Sequence, residues 1–389
     1  MTPEPALGLY VHVPFCSAIC NYCNFNRGLY DESLKARFVE ALIAEIKGSG
    51  AFFRSDFEKK APDPFISDTL YFGGGTPSLL TPADIALIID TARVACHLTP
   101  DAEITLEANP ESVDQSRLEH FRRAGVNRLS FGVQSFRDEE LRRLERLHTA
   151  SRAEQAIVEA RNAGFDNVSL DLMMWLPQQT TAEWMESVDR AIAAGPEHLS
   201  LYMLEVYPHL PLRQEMNRHV WTQLPDDVAA DMYEQAMSRL ESAGYEQYEI
   251  SNVARRGRRS RHNLKYWSDG EWLGFGPGAH STRHGSRSRN VASTEDYVQR
   301  VAGGATVVAE RRDLTVDERL GDALFTGLRL NDGVNLSVLT ARYQIDIWRR
   351  YGEPLAAYVD AGLLVKDADR LRLTRQGMLM ANEVMAVFV

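Results

Sequence analysis

Residues 8–28 have the sequence GLYVHVPFCSAICNYCNFNRG, in which an apolar run leads into a loop that carries Cys16, Cys20 and Cys23. The apolar run is rich in valine and aromatic residues and favours a buried β-strand. The chain has only 4 cysteines, and the crowding of three of them into one loop favours a metal or cluster site over a disulfide framework. Three thiolates from one loop can bind three irons of a cubane cluster and leave the fourth iron open.

Two plainer interpretations of this loop stay open. The thiols could form a structural zinc site, although zinc usually takes four ligands in two separated pairs and the only imidazole near the loop is His12. They could also be unpaired thiols of the core. The fourth cysteine, Cys96, lies among apolar neighbours in a helical segment, and we expect it to be a buried packing residue without a function.

Apolar runs alternate with amphipathic stretches up to about residue 205. Amphipathic stretches near residues 33–48 and 82–96 predict helices, and the last run is followed by a turn at Tyr207-Pro208. This alternation is typical of a parallel sheet, so we predict an α/β fold with a partial (β/α)6 TIM-like barrel. The six predicted strands are LGLYVHVPF (7–15), DTLYFGG (68–74), EITLEAN (103–109), RLSFGVQ (128–134), NVSLDLMM (167–174) and HLSLYMLE (198–205).

Several of these runs contain a polar residue near their end, namely Glu107, Gln134 and Asp171. Buried parallel strands are usually apolar throughout, and the carboxyl ends of barrel strands are where active sites lie. The stretch GGGTP at residues 73–77 follows the second run. Glycines let a backbone approach a ligand closely and expose N–H donors to it, although such a triplet can also be a simple turn. We therefore expect a ligand site at this end of the barrel.

The second half of the chain changes in pattern. A helix is predicted at 225–243 and a strand at 245–250, but the segment ARRGRRSRHNLKYW (254–267) has several arginines and no periodicity. Two helices and a β-hairpin in AGLLVKDADRLRLTRQG (361–377) predict a small α+β unit that resembles a winged helix. With a boundary at the glycines before residue 305, we divide the chain into a barrel core (1–240), a barrel extension (241–304) and a C-terminal domain (305–389).

Composition narrows the class of protein. Hydrophobic residues make up 44% and charged residues 25%, which predicts a folded globular protein. The net charge of −11 disfavours a nucleic-acid binder, because phosphate neutralisation needs clustered Lys and Arg. We find no apolar run long enough to cross a membrane and no secretory signal, so we expect a cytoplasmic protein with at most transient membrane contact.

The cysteine loop and the GGGTP stretch together resemble those of the radical S-adenosylmethionine (SAM) superfamily. The resemblance implies that Cys16, Cys20 and Cys23 hold a [4Fe-4S] cluster, and that the amino and carboxylate groups of SAM bind its open iron. In that superfamily, electron transfer from the cluster cleaves the sulfonium of SAM to a 5′-deoxyadenosyl radical. The resemblance further implies that SAM is contacted by Tyr10, Gly74, Gly75, Thr76, Glu107, Gln134, Arg146, Asp171 and His280.

The runs LEANPE, GVNRLSFGVQSF and LDLM are similar to those of the anaerobic coproporphyrinogen III oxidase family, and the similarity covers most of residues 9–180. The true oxidases carry a further cysteine at the position of Phe25, whereas the HemW-type heme chaperones lack it. Residues 262–267, HNLKYW, resemble the HNxxYW motif that is linked with heme in the HemW branch. The resemblance therefore implies a HemN-like C-terminal domain, and a chaperone that binds heme through His262, Tyr266 and Trp267 and hands it to an acceptor protein.

Alternatives to the heme chaperone remain at this point. On residue types alone, His262 could simply hydrogen-bond within a loop, and the neighbouring arginines could form a solvated turn instead of pairing with heme propionates. The enzymatic alternative is oxidative decarboxylation of coproporphyrinogen III. A nucleic-acid reader in the C-terminal unit is disfavoured by its few basic residues. Met174-Trp175 departs from the family pattern, and we expect the bulky Trp175 to alter the floor of the site.

Overall fold

A parallel sheet with helices along it forms the N-terminal half of the protein. The computed structural model describes residues 6–55 and 65–389. For residues 49–55 it describes the backbone only. The strands of this half are β1 Leu7–Val13, β2 Phe15–Cys16, β3 Gly28–Leu29, β4 Ser67–Gly74, β5 Leu98–Ala108, β6 Arg128–Gln134, β7 Val168–Met174 and β8 His198–Met203. The helices are α1 Glu32–Ser55, α2 Pro82–Ala95, α3 Gln115–Ala124, α4 Asp138–Arg143, α5 Ala150–Asn162, α6 Thr181–Ala194, α7 Pro211–His219 and α8 Asp226–Ser242, with short 3-10 turns at Pro77–Leu79 and Pro110–Ser112.

The six predicted strands are confirmed, and they lie side by side in the order β1, β4, β5, β6, β7, β8, each parallel to the next. Most of their side chains are buried on both faces, as the continuous apolar runs predict, although β8 ends in two exposed residues. All six carboxyl ends therefore meet at one rim of the curved sheet. A further short helix, α7, follows the turn after β8, because Pro211 is suited to the first position of a helix.

Further strands extend the sheet at both sides. They are β9 Glu246–Glu249, β10 Asn252–Ala254, β11 Trp272–Phe275, β12 His280–Arg283, β13 Ser286–Asn290 and β14 Val308–Asp313, with the helices α9 Arg261–Trp267 and α10 Thr294–Ala302 between them. Strand β11 runs parallel to β1, and β12, β13 and β14 follow it as antiparallel neighbours. On the opposite side, β10 pairs antiparallel with β8 and β9. The pairing of β14 within this sheet carries the larger unit a few residues past the predicted boundary at 305.

Helix α9 lies in the segment for which the sequence showed no periodicity. It has only seven residues, which are too few to establish a helical repeat. Its start is fixed by Ser260, whose Oγ accepts a hydrogen bond from the Asn263 N–H, and by the Glu103 carboxylate, which accepts from the N–H groups of Arg261 and His262. A carboxylate at this end also suits the helix dipole.

The C-terminal unit has a hydrophobic core of its own. The predicted hairpin is confirmed, but three helices precede it instead of two, because α12 is a separate short helix. The unit comprises α11 Val316–Gly327, β15 Val334–Asn335, α12 Leu336–Tyr343, α13 Ile347–Asp360, β16 Leu364–Asp367, β17 Arg370–Leu373, α14 Arg375–Leu379, α15 Ala381–Met385 and a 3-10 turn at Ala386–Phe388.

The unit also lies along one edge of the large sheet. The Ile250 N–H donates to the Arg329 carbonyl, and the Asn331 N–H donates to the Tyr248 carbonyl, each at 3.1 Å. Residues after α11 thus cover the backbone of β9, the last strand on that side. Within residues 6–55 and 65–389, none of the helices combines the length and the apolar composition needed to cross a bilayer.

Candidate functional site at the rim of the sheet

The cysteine loop leaves β1 at the rim where the six parallel strands end. Cys16 lies in β2, which pairs with β3, and its carbonyl accepts a hydrogen bond from the Tyr30 N–H at 3.0 Å. The loop is held from the side by Asn21, whose Nδ2 donates to the Arg143 carbonyl at 2.8 Å. Cys16, Cys20 and Cys23 are all partly exposed and unpaired, while Cys96 is buried in the core, as predicted.

The glycines of GGGTP pack directly against this loop. The Gly75 N–H donates to the Val13 carbonyl and the Thr76 N–H donates to the Phe15 carbonyl, both at 2.7 Å. A Cβ on Gly75 would lie 2.6 Å from the Phe15 carbonyl oxygen and 3.0 Å from Cys16 Sγ, so only glycine fits there. The two motifs that are far apart in sequence therefore form one structure at the rim.

Burial raises the pKa of the Cys16 thiol, and the hydrogen bond from Thr76 opposes that rise. An iron ligand must be a thiolate, and a bound metal supplies the charge that removes the proton. Among the described residues, no three His, Cys, Asp or Glu side chains are grouped as a single metal ion requires.

Arg146 brings a positive charge to the cysteines. Its Nη1 lies 3.6 Å from Cys20 Sγ, and its Nη2 donates to Asn109 Oδ1 at 2.7 Å and to the Gly132 carbonyl at 2.6 Å. Asn109 in turn donates from Nδ2 to Thr76 Oγ1 at 3.1 Å. Asn109 was not among the residues predicted from the sequence, although its place at the end of the LEANPE run gave a signal. It joins the guanidinium to the glycine-rich turn.

Two half-buried carboxyl groups lie inside the barrel below the rim. Tyr71 OH donates to Glu107 Oε1 at 2.7 Å, and the Gly74 N–H donates to Glu107 Oε2 at 3.3 Å. Burial raises the pKa of Glu107 to about 7 and that of Asp171 to about 6. Ser130 Oγ donates to Asp171 at 3.3 Å. These groups are thus poised between the neutral and the charged form near neutral pH.

Tyr10 and His280 lie on the β1 and β12 side of the same rim. Tyr10 OH is 3.0 Å from His12 Nδ1, and His12 Nε2 is 2.7 Å from the Asn26 carbonyl, which ties β1 to the cysteine loop. His280 is exposed and lies close enough to His12 to help lower the pKa of the His12 imidazole, although burial is the main cause.

Trp175 has a left-handed backbone with φ of 62°, and its indole N–H donates to the Leu224 carbonyl at 2.7 Å.

The described residues leave polar atoms unsatisfied where SAM is expected. Gln134 sits at the end of β6 with φ of 66°, and its Oε1 is buried without a hydrogen-bond partner in the described structure. The Nε of Arg146 is also buried without a hydrogen-bond partner among the described residues. Buried polar atoms are nearly always satisfied, so an acceptor for the guanidinium and a donor for the amide fit here. A ligand with carboxylate, ammonium and hydroxyl groups supplies both.

The HNLKYW segment packs against β1 and β4, and the His262 ring lies 6.5 Å from the ring of Tyr10, one of the predicted SAM contacts. His262 is 1% exposed, its Nδ1 is 2.9 Å from Thr69 Oγ1, and its Nε2 is 2.8 Å from Tyr266 OH. Its ring stacks on that of Tyr71 with 5.2 Å between centroids. Burial, with Lys265 and Arg128 nearby, lowers the pKa of His262 to about 3. The imidazole is therefore neutral and uses both nitrogens within the protein, so this conformation offers no nitrogen to a heme iron.

The other predicted heme contacts are also engaged with the protein. The Tyr266 ring packs edge-on against Trp272 at 4.7 Å, and Arg329 lies over the Trp267 ring at 4.5 Å. Most of the arginines proposed for the propionates pair locally, through Arg255 over Tyr245, Arg258 with Asp166, Arg259 with Glu246 and Asp332, and Arg261 with Asp68. Heme binding through His262, Tyr266 and Trp267 stays a prediction that requires these contacts to open.

Comparisons with known proteins agree with the architecture. A family model of the radical SAM superfamily matches residues 10–191, and a model of the HemN C-terminal domain matches residues 314–380. The chain is 34% identical to the heme chaperone HemW of Bacillus subtilis over 98% of both chains. It is 37% identical to the heme chaperone HemW of Mycobacterium tuberculosis, with 98% of this chain and 94% of that protein covered.

A solved structure gives the same fold. The coproporphyrinogen III oxidase HemN of Escherichia coli, described as a radical SAM enzyme, superposes with a TM-score of 0.84 over 99% of this chain and 90% of that chain. Its sequence identity is 24%, so the likeness speaks for the fold alone. The predicted partial barrel of the radical SAM type, with a HemN-like C-terminal domain, is confirmed.

Proposed function

Because the chain belongs to the HemW family within the radical SAM superfamily, we propose that it is a heme chaperone, which binds heme and passes it to an acceptor protein. The observation that carries this proposal is the similarity to proteins named as heme chaperones along almost the whole chain. The exposed Phe25 supports it, because the resemblance to the oxidases calls for a further cysteine there. The cytoplasm is the compartment that we propose.

We further propose that Cys16, Cys20 and Cys23 ligate a [4Fe-4S] cluster and that SAM completes it. Such a cluster supplies single electrons to the bound sulfonium. The SAM contacts would come from the rim and the barrel interior: the backbone of Gly74, Gly75 and Thr76, and the side chains of Tyr10, Glu107, Gln134, Arg146, Asp171 and His280. In support, the glycine turn touches the cysteine loop, and two of these side chains carry buried polar atoms without a partner in the described structure.

Tyr71 is expected to position Glu107 for SAM. Tyr71→Phe removes the donor to Glu107 Oε1, and a lost hydrogen bond to such a group corresponds to an affinity about five- to tenfold lower. The measurement is a SAM titration of the reduced, cluster-loaded protein, followed by the electron paramagnetic resonance signal. Tyr358→Phe is the matched control, because Tyr358 OH donates to the Glu383 carbonyl at an exposed position of the C-terminal unit, away from the cysteine loop. Equal dissociation constants for the two variants would contradict the positioning role.

The heme-chaperone proposal is tested by an anaerobic heme titration of the cluster-loaded protein, with coproporphyrinogen III offered in parallel. We expect a stable absorption spectrum of bound heme, transfer of that heme to an apo-hemoprotein, and no protoporphyrinogen in the presence of SAM and a reductant. Formation of protoporphyrinogen without heme binding would overturn the proposal in favour of oxidative decarboxylation.

A further inference from the structure

The His262 ring, for which the resemblance predicts a heme contact, lies against two tyrosines at the proposed SAM site. It stacks on the Tyr71 ring with 5.2 Å between centroids and on the Tyr10 ring with 6.5 Å, at angles of 26° and 28° between the planes. The Tyr10 and Tyr71 rings stack on each other at 6.3 Å. Aromatic pairs attract each other at separations of about 4.5–7 Å. The rings of Tyr10, Tyr71 and His262 therefore form one group, the ring cluster.

The ring cluster meets the glycine-rich turn at Gly73. A Cβ on Gly73 would lie 2.9 Å from Tyr10 Cε2 and 3.0 Å from Tyr71 Cε1. It would also lie 3.3 Å from Glu107 Oε1. Glycine is therefore needed where both tyrosine rings and the carboxyl group converge. The next residue, Gly74, donates its N–H to Glu107 Oε2 at 3.3 Å, so the same place belongs to the proposed SAM site.

The surroundings of His262 hold its ring in one position. Thr69 Oγ1 lies 2.9 Å from Nδ1, and Tyr266 OH lies 2.8 Å from Nε2. Thr69 precedes Tyr71 by two residues in β4, so both are on the same face of the strand and His262 contacts both of them. A Cβ on Gly8 of β1 would lie 3.1 Å from His262 Cε1. Glycine in β1 thus leaves the space that the imidazole fills.

The ring cluster reaches the predicted SAM contacts in two ways. Tyr10 is itself one of them. Tyr71 OH donates to Glu107 Oε1 at 2.7 Å, and Glu107 is another. The direction of that donor depends on where the Tyr71 ring lies, because a phenol oxygen moves with its ring. Packing of His262 against both tyrosines therefore restricts the positions of groups that face the ligand.

We propose that His262 is a positioning residue of the SAM site, which holds Tyr10 and Tyr71 in place through its flat ring. The inference rests on the proposed function and adds to the SAM site a residue of the HNLKYW motif. It requires a flat ring at this position and no particular ring nitrogen. His262→Phe keeps such a ring, whereas His262→Leu removes it. Both variants lose the contacts with Thr69 and Tyr266, so the difference between them reports on the ring alone.

The test is a SAM titration of the reduced, cluster-loaded full chain as wild type, His262→Phe and His262→Leu, followed by the electron paramagnetic resonance signal. We expect His262→Leu to bind SAM about three- to tenfold more weakly, which corresponds to the loss of one aromatic pair, and His262→Phe to stay within about twofold of wild type. Gly8→Ala takes the place of His262→Leu if that variant does not fold, because its Cβ would press on an unchanged His262 ring.

His198→Leu is the matched control. His198 is also fully buried, its Nδ1 is 2.8 Å from Ser169 Oγ, and its Nε2 is 2.8 Å from Tyr248 OH. It lies on β8, at the other side of the six parallel strands from β1, and its ring packs against Tyr248. We expect this variant to lose stability and to keep the affinity for SAM. Circular dichroism and iron content serve to establish that every variant is folded and loaded.

A double variant separates positioning from a general loosening of the barrel. Tyr71→Phe lacks the hydroxyl that His262 is proposed to direct toward Glu107. The losses of SAM affinity in Tyr71→Phe and His262→Leu are therefore expected to combine to less than their product, because residues that act through one another are not independent. Losses that multiply fully would overturn the inference.

The remaining outcomes distinguish this inference from the proposed function. Wild type that binds SAM, together with His262→Leu that binds it as tightly as His198→Leu does, overturns the inference and leaves the SAM site standing. An equal loss in His262→Phe and His262→Leu would also overturn it, because the effect would then belong to the imidazole nitrogens. Wild type that binds no SAM overturns the proposed SAM site itself.

Discussion

We expect alanine at Cys16, Cys20 or Cys23 to abolish the proposed iron–sulfur cluster, so that each variant, reconstituted without oxygen, lacks the iron, the acid-labile sulfide and the visible absorption expected of wild type. A cubane held by three thiolates has one open iron, and removal of a further thiolate leaves two irons without a protein ligand. No other cysteine lies near the loop to replace it, because Cys96 is in the core. SAM binding is expected to disappear with the cluster.

Cys96→Ala is the matched control for this experiment. The Cys96 side chain is fully buried and packs in the main hydrophobic core, so its replacement is expected to lower stability slightly and to leave the iron content unchanged. Wild type that binds zinc, or a loss of iron in Cys96→Ala as great as in the loop variants, would contradict the assignment.

The second large effect is expected at the contact between the C-terminal unit and the sheet. Arg329 Nε and Nη2 donate to Glu249 Oε2 at 3.1 and 2.8 Å, and the Glu249 side chain is fully buried. Arg329→Ala leaves that carboxylate buried without its countercharge, which costs about 3–5 kcal/mol of the free energy of unfolding. Denaturant-induced unfolding, followed by circular dichroism, measures the loss.

Arg375→Ala provides the comparison. Arg375 also joins the C-terminal unit to the barrel, through Glu241 of α8, but both side chains are about 40% exposed. An exposed pair of this kind contributes about 0–1 kcal/mol. An equal loss of unfolding free energy in Arg329→Ala and Arg375→Ala would contradict the prediction, because it would mean that the burial of Glu249 adds nothing to the cost. Restoration of stability by the double variant Arg329→Met, Glu249→Gln would instead identify the stranded charge as the cause.

The sequence predicts those parts of the fold whose residues carry their own signal. The six parallel strands are apolar on both faces, so each appears as an apolar run whatever its neighbours are. Strands β12 and β13, with sequences HSTR and SRSRN, carry no such run and are held by pairing with their neighbours. Strand β14, with the sequence VAERRD, also lacks a long apolar run and is exposed along most of its length. Extensions of this kind depend on partners that the local sequence does not identify.

The candidate site follows the same division. Glu107, Gln134 and Asp171 could be predicted because each is polar within or at the end of an apolar strand. Tyr71 could not, because an aromatic residue inside an apolar strand resembles a core residue, and its hydroxyl meets Glu107 only in the folded sheet. The burial of His262 likewise depends on Thr69 and Tyr71, which are about 190 residues away in the chain.

The two edge strands of the large sheet, β9 and β14, are protected in different ways against pairing with another chain. The backbone of an uncovered edge strand is a template on which another chain can pair, which leads to aggregation. Residues after α11 occupy that template at β9. Strand β14 is protected in another way, because charged side chains at an edge discourage a second strand from docking. The exposed charged residues of β14 are Glu310, Arg311, Arg312 and Asp313. Within the part of the chain that the structure describes, the pairing of a second chain is thereby opposed at both edges of the large sheet.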